Sequence, residues 1–188
     1  MMVSWESLWE QIQQCQACGL CQGIRNKVPG QGNPQARLLL IGEGPGREED
    51  AQGLAFVGPA GQLLTRMLAA ISLERSDVFI ANVVKCRPPS NRTPTPEEAA
   101  ACLPLLRAQT ALIRPQVILL LGATALANIL NPQARITSSR VRWTQRKGVW
   151  ILPTFHPAAL LRDPSKKKDA WVDMQMVRDK LAELGEKA

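Results

Sequence analysis

Apolar residues follow two rhythms along this chain. Four short stretches are nearly continuous in apolar character, Arg37 to Ile41, Val78 to Val84, Gln116 to Leu121 and Val149 to Thr154. Runs of this kind suit strands of a parallel sheet that is covered on both faces. Between them the spacing changes to that of a helix. Leu63, Leu64, Met67, Leu68 and Ile71 fall on one face after Gly61, and Met174, Val177, Leu181 and Leu184 form a stripe near the end of the chain. Thr95, Pro96 and Glu98 read as a capping box with proline at the first helical position, opening a helix through Cys102 to about Ile113. Strands alternating with helices predict an α/β sandwich with right-handed crossovers. The proline- and arginine-rich stretch Arg87 to Pro96 is expected as a loop, and no repeat or low-complexity tract breaks the order.

Composition narrows the picture. The chain has 188 residues, 45% of them hydrophobic, enough to fill one layered core, so a single domain over 1–188 is expected. The longest apolar run, Val117 to Leu121 with Gly122 and Ala123, falls far short of the roughly 20 residues that span a bilayer. Glu6 and Glu10 among Trp5, Leu8 and Trp9 do not make a signal peptide, and a cytoplasmic protein without membrane contact is expected. A net charge of +7 and a pI near 9.5 favour a polyanionic partner. The charge gathers in Arg135, Arg140, Arg142, Arg146 and Lys147, then in Arg162, Lys166, Lys167 and Lys168. By itself this describes a solvated basic surface as well as a nucleic-acid track.

Ligands of an open parallel sheet collect beyond the carboxyl ends of its strands, and the unusual residues lie there. The first strand runs into Gly42-Glu43-Gly44-Pro45-Gly46, the second contains Asn82 and ends at Lys85-Cys86-Arg87, and the fourth ends at Phe155-His156-Pro157. The glycine turn fails as a dinucleotide fingerprint, because its spacing is wrong and Pro45 removes an N–H. Taken alone, it reads as a tight strand-to-helix turn. His156 is the only histidine, either a structural strand-end residue or a functional one. Asn82 is an amide in an apolar strand; if buried it needs a partner, and an amide can read a base edge.

Five cysteines without an export signal argue against a disulfide framework. Cys15-x2-Cys18-x2-Cys21, followed by Cys86 and Cys102, points to metal binding. Zinc and an iron–sulfur cluster both accept four thiolates, and spacing does not choose between them.

Taken in order, these segments resemble the family 4, iron–sulfur uracil-DNA glycosylases over nearly the whole chain. The matching runs are Cys15-x2-Cys18, the Gly42 to Gly46 turn with Glu49-Asp50, Phe56-Val57-Gly58-Pro59-Ala60-Gly61, Asn82 through Pro89, Cys102, and His156 through Arg162. The resemblance implies a three-layer α/β/α sandwich with a four-stranded parallel sheet, a [4Fe-4S] cluster on Cys15, Cys18, Cys86 and Cys102 with Cys21 spare, and removal of uracil from DNA by a monomer. It further implies that Glu43, Gly44, Glu49, Phe56, Asn82 and His156 line the flipped base. Phe56 would stack on it, Asn82 would bond its polar edge, and His156 would stabilise its departing oxygen. Gly44 stands where the better-known glycosylases carry an aspartate, so Glu43 becomes the candidate for positioning water, and Glu49 would crowd a thymine methyl. Arg162 and Lys166 to Lys168 would reach phosphates, with Leu160 or Leu161 as an apolar wedge and Arg140, Arg142 and Arg146 as an alternative track. Relatives often place glycine where this chain has Val141. The competing readings are an iron–sulfur redox or regulatory module, which gives Asn82 and His156 no role, and a zinc-bound nucleotide-binding protein, which rests on the glycine turn and is weakened by Pro45.

Overall fold

The computed structural model describes residues 4–185, so three residues at either end of the expected 1–188 domain lie outside the described residues. The four apolar stretches form strands β2 (Leu38–Gly42), β3 (Val78–Asn82), β4 (Val117–Leu121) and β6 (Val149–Thr154). They pair in parallel in the order β3-β2-β4-β6, with Leu40 opposite both Ile80 and Leu119.

The sheet itself corrects the four-stranded expectation. Two short strands, β1 (Gln31–Gly32) beside β3 and β5 (Thr144–Arg146) beside β6, add antiparallel edges and make it mixed and six-stranded. Both are too short and too polar for apolar periodicity to reveal them. Each also covers a long parallel strand that would otherwise present open backbone groups.

Side chains alternate across the central strands, as a pleated strand requires. Leu39, Ile41, Phe79, Ala81, Ile118 and Leu120 face one way, against Ala99, Cys102 and Leu106 of α4 (Pro96–Ile113) and Ala125 of α5 (Ala123–Ile129). Leu38, Leu40, Val78, Ile80, Val117 and Leu119 face the other way, against Leu64 and Leu68 of α3 (Pro59–Ala69) and Met174 and Val177 of α8 (Lys167–Gly185). Helices therefore cover both faces. Helix α1 (Trp5–Gln14) lies over the first layer, Trp5 stacking against Phe79 at 5.4 Å. Among the described residues no helix is long and apolar enough to cross a membrane.

The capping box at Thr95 forms as the sequence predicts. Thr95 Oγ1 accepts from the Glu98 N–H at 3.2 Å, and Glu98 accepts in return from the Thr95 N–H at 2.8 Å. Arg92 donates to both Glu98 oxygens and holds that carboxyl down at about 2. The Arg87 to Pro96 loop is thus tethered to the start of α4.

Val141 stands at φ +56°, the left-handed region that excludes β-branched side chains at a cost of roughly 1–3 kcal/mol. Glycine, which has no Cβ, adopts that conformation without strain. The side chain is half exposed and buries little, so Val141→Gly is expected to raise the melting temperature by about 2–4 °C in calorimetry.

Candidate active site

The carboxyl ends of the parallel strands open into a cleft of about 810 Å³. The turn after β2, Asn82, Gly122 to Thr124 after β4, and His156 after β6 all line it. So do Glu49 of α2 (Arg47–Gln52) and Phe56. All six base-lining residues expected from the sequence therefore meet in one place.

Gly42 is needed for close approach. A Cβ there would stand 2.5 Å from Asn82 Oδ1 and 2.6 Å from Phe56 Cζ, so its absence lets amide and ring converge on the cleft floor. Asn82 is buried, and its Oδ1 has no hydrogen-bond partner among the described residues. An orphaned amide oxygen of this kind costs about 1–3 kcal/mol, which makes it a poised acceptor.

Phe56 adopts φ +53° and is held there from two sides. The start of α3 presses against its carbonyl through Gly61, where a Cβ would come within 1.8 Å of the oxygen. From the other side the Arg75 guanidinium donates to Ala55 O at 2.6 Å and Phe56 O at 3.1 Å. The ring is thereby set 5.6 Å from that of His156. Arg75 carries no sequence signal, because an arginine before a strand reads as surface.

Glu49 ties two walls of the cleft together. Its Oε1 accepts from the N–H groups of Val57 and Gly58, each at 2.8 Å, and its Oε2 accepts from Gly46 at 3.1 Å. Glu43 lies opposite, one oxygen held by the Thr124 hydroxyl. Thr124, at the start of α5, is a second residue that the sequence did not single out.

His156 opens α7 (Pro157–Arg162), and its Nδ1 accepts from the Ala158 N–H at 3.1 Å. With Nδ1 an acceptor, the neutral ring carries its hydrogen on Nε2. The ring keeps some exposure to the cleft yet is densely packed by protein, and this burial, with the positive Arg162 nearby, lowers its pKa to about 4; Glu49 opposes the shift. At neutral pH it is an uncharged donor.

Beyond the cleft, Leu160 corrects one expectation. It is 1% exposed and packs with Leu63, Phe155 and Ala170, whereas Leu161 is 42% exposed. A helix turns consecutive side chains to different sides, so of the two only Leu161 projects outward. The alternative basic track loses two members to structural duty. Arg140 binds Asp173 and Asp169, and Arg146 donates to the carbonyls of Ile129 and Leu130. Arg162, Lys167 and Lys168 are exposed, while Lys166 pairs with Asp163.

All five cysteines carry free thiols and line a second, mostly apolar cavity between the N-terminal segment and α4. Cys86 and Cys102 are buried. Burial, then the neighbouring Cys102, pushes the Cys86 thiol up to about 12, with Cys18 and Cys15 adding to the effect. Lys85 is fully buried beside them, donates to Asn82 O at 2.8 Å, and is lowered to about 8 by burial. Among the described residues no three His, Cys, Asp or Glu side chains are grouped closely enough to hold a single metal ion.

A model of the Uracil DNA glycosylase superfamily matches residues 29–176. A type-4 uracil-DNA glycosylase of Thermotoga maritima is 47% identical over 166 residues, covering 86% of this chain and 85% of that protein. Type-4 uracil-DNA glycosylases of Sulfurisphaera tokodaii and Archaeoglobus fulgidus are 41% and 42% identical, covering 95% and 94% of this chain and 85% and 92% of theirs.

Proposed function

We infer that this chain, which belongs to the uracil-DNA glycosylase superfamily and within it to the type-4 enzymes, removes uracil from DNA through the cleft centred on Asn82, Phe56 and His156. It is a uracil-DNA glycosylase, a hydrolase of DNA repair. One observation carries the assignment of the cleft: a buried, unpartnered Asn82 oxygen sits in the same cleft as a histidine whose only acceptor nitrogen is already used. An imide supplies what this arrangement lacks, an N–H for Asn82 Oδ1 and a carbonyl oxygen for His156 Nε2–H.

In this reading the uracil nucleotide leaves the duplex at a cost of a few kcal/mol and its base lies against Phe56. The C1′–N1 bond then breaks, its electron pair passing to the base while positive charge develops on the sugar. His156 Nε2–H stabilises the uracil oxygen as it becomes anionic. Glu43, steadied by Thr124, orients the water whose oxygen bonds to C1′ and whose proton is released. Glu49 keeps the Gly46 and Val57 walls at fixed separation, which limits the space available to a base with an added methyl. Arg162, Lys167 and Lys168 contact phosphates and Leu161 fills the vacated stack. The site is complete within one chain, which fits a monomer.

The cysteine cavity fits a [4Fe-4S] cluster on Cys15, Cys18, Cys86 and Cys102. Its donors are all sulfur, its walls are apolar, and buried thiols this difficult to ionise gain from metal coordination and a neighbouring cation such as Lys85. Cys86 lies within electrostatic reach of Cys102, Lys27, Cys18 and Cys15. Once bound, the cluster would supply a cross-link between the N-terminal segment, the end of β3 and α4. Cys102→Ala is expected to lower iron content and to drop the melting temperature by roughly 5–10 °C, on the scale of losing a covalent cross-link. Cys21→Ala should keep both; full iron in the Cys102 variant would remove that residue from the ligand set.

The reading is tested by incubating the folded protein with a uracil-containing oligonucleotide, measuring free uracil and alkali-labile strand breaks. Release from uracil but not thymine substrates is expected. No release by folded, iron-loaded protein would overturn it, leaving a binding module in which Asn82 and His156 are idle.

A further inference from the structure

On the far side of α7 from the catalytic cleft lies a hollow of about 270 Å³ between α3, α7 and α8. Leu63, Met67, Leu160 and Met174 line it, Trp171 stands at its wall, and Arg66 and Lys167 complete it. Trp171 is 40% exposed, and with Leu161 and Val172 it accounts for three of the six large apolar side chains left exposed in the described residues. The nearby carboxylates are already committed, Asp163 to Lys166 and Asp169 to Arg140. Arg66 and Lys167 form no ion pair among the described residues. The hollow is therefore apolar and aromatic inside, with uncompensated positive charge beside it.

Its position is tied to the cleft. Helix α3 contributes Ala60 to the cleft and Met67 to the hollow, a separation of about 10 Å at 1.5 Å per residue. That distance equals about three stacked nucleotides of one strand. The exposed Leu161 and Arg162 lie at the end of α7, between the two.

We propose that this hollow is a second nucleobase site, which takes an unpaired base of the same strand that delivers uracil to the cleft. Trp171 stacks on the base while Arg66 and Lys167 contact the flanking phosphates. The inference rests on the reading that DNA occupies the cleft. An aromatic wall beside unpaired cations is the combination that holds single strands, where each stacked base contributes about 1–3 kcal/mol. Duplex bases are paired and cannot enter, so the site favours single-stranded or frayed substrate.

The test is fluorescence anisotropy of the full-length, iron-loaded protein with a labelled oligonucleotide carrying a non-cleavable uracil nucleotide, free and annealed to its complement. Trp171→Ala should weaken single-strand binding about tenfold and duplex binding less than twofold, while Trp171→Phe keeps most of the affinity. Trp9→Ala, an exposed tryptophan on α1, should change neither. Replacing Arg66 with glutamine should flatten the logarithmic salt dependence on single strands by about 0.7. Equal single-strand affinity in Trp171→Ala overturns the proposal, and so does an equal loss on both substrates. A concentration-dependent mass that Trp171→Ala abolishes, with DNA binding intact, would assign the hollow to a second copy of the chain. If the wild type released no uracil the catalytic reading would fail, and the anisotropy would still decide whether the hollow binds DNA.

Discussion

His156→Ala is expected to slow single-turnover uracil release by about 10²- to 10³-fold, the range for losing one preorganised donor to a developing oxyanion, and to change affinity for uracil-DNA little. The expectation follows from the Ala158 N–H bond to Nδ1, which leaves Nε2–H as the catalytic hydrogen. It also has a pH signature. A neutral donor with a pKa of about 4 predicts a flat rate from pH 8 down to about 5, whereas an imidazolium catalyst would gain rate as pH falls through 6.5. Stability behaves differently. The folded value lies below the ordinary 6.5, so on acidification the unfolded chain takes up this proton first. The ring's contribution is present above 6.5 and is lost as pH falls toward about 4. His156→Gln should therefore show a shallower decline in melting temperature across that window. Normal cleavage by folded His156→Ala would transfer the leaving-group role to Asn82 or to backbone N–H groups of the Gly42 to Gly46 turn.

Asp173→Ala is expected to destabilise the protein by about 3 kcal/mol, the low end for halving a buried pair, because it leaves the Arg140 guanidinium with Asp169 alone and takes the acceptor from the Thr154 hydroxyl. Asp173 is fully buried; it accepts from Arg140 at 2.8 and 3.1 Å and from Thr154 Oγ1 at 2.6 Å. Burial holds its carboxyl above the ordinary range, even with hydrogen bonds from Arg140 and Thr154 working against the shift. The ion pair is thus a poor source of net stability that becomes costly when halved. Replacing Arg140 with methionine and Asp173 with leucine together should recover most of the loss in urea unfolding. Activity should not recover in step. The Arg140 guanidinium lies 5.0 Å over the Phe155 ring, and Thr154 ends β6, so this network aims the residue before His156. Full activity in the stable double variant would show that it only carries stability.

Much of this arrangement can be read from residue order, and the reason is burial. The four parallel strands are enclosed on both faces, so their apolar runs stand out, and so do Asn82 and His156, which break the pattern at their carboxyl ends and line the cleft. Arg75 and Thr124 do not, since a cation that bonds backbone carbonyls and a hydroxyl that steadies a carboxylate resemble ordinary surface residues until distant segments meet. The edge strands stayed hidden because two or three polar residues carry no period. Leu160 and Leu161 form a pair that helical phase alone separates. Arg140 and Arg146 looked like free charge because their partners, Asp173 and the carbonyls of Ile129 and Leu130, lie far away in the chain.

The cysteine cavity also sets a timetable for synthesis. Cys15, Cys18 and Cys21 leave the ribosome long before Cys86 and Cys102, and at about 5–20 residues per second the delay is several seconds. Throughout that interval α1 has no α4 to lie against, the backbone N–H of Val28 has no Lys85 carbonyl, and three closely spaced thiols stand open to oxidants and stray metal ions. The first described helix to be made thus waits until α4 has followed it before it can pack, and over that interval the earliest thiols of the chain are its most exposed.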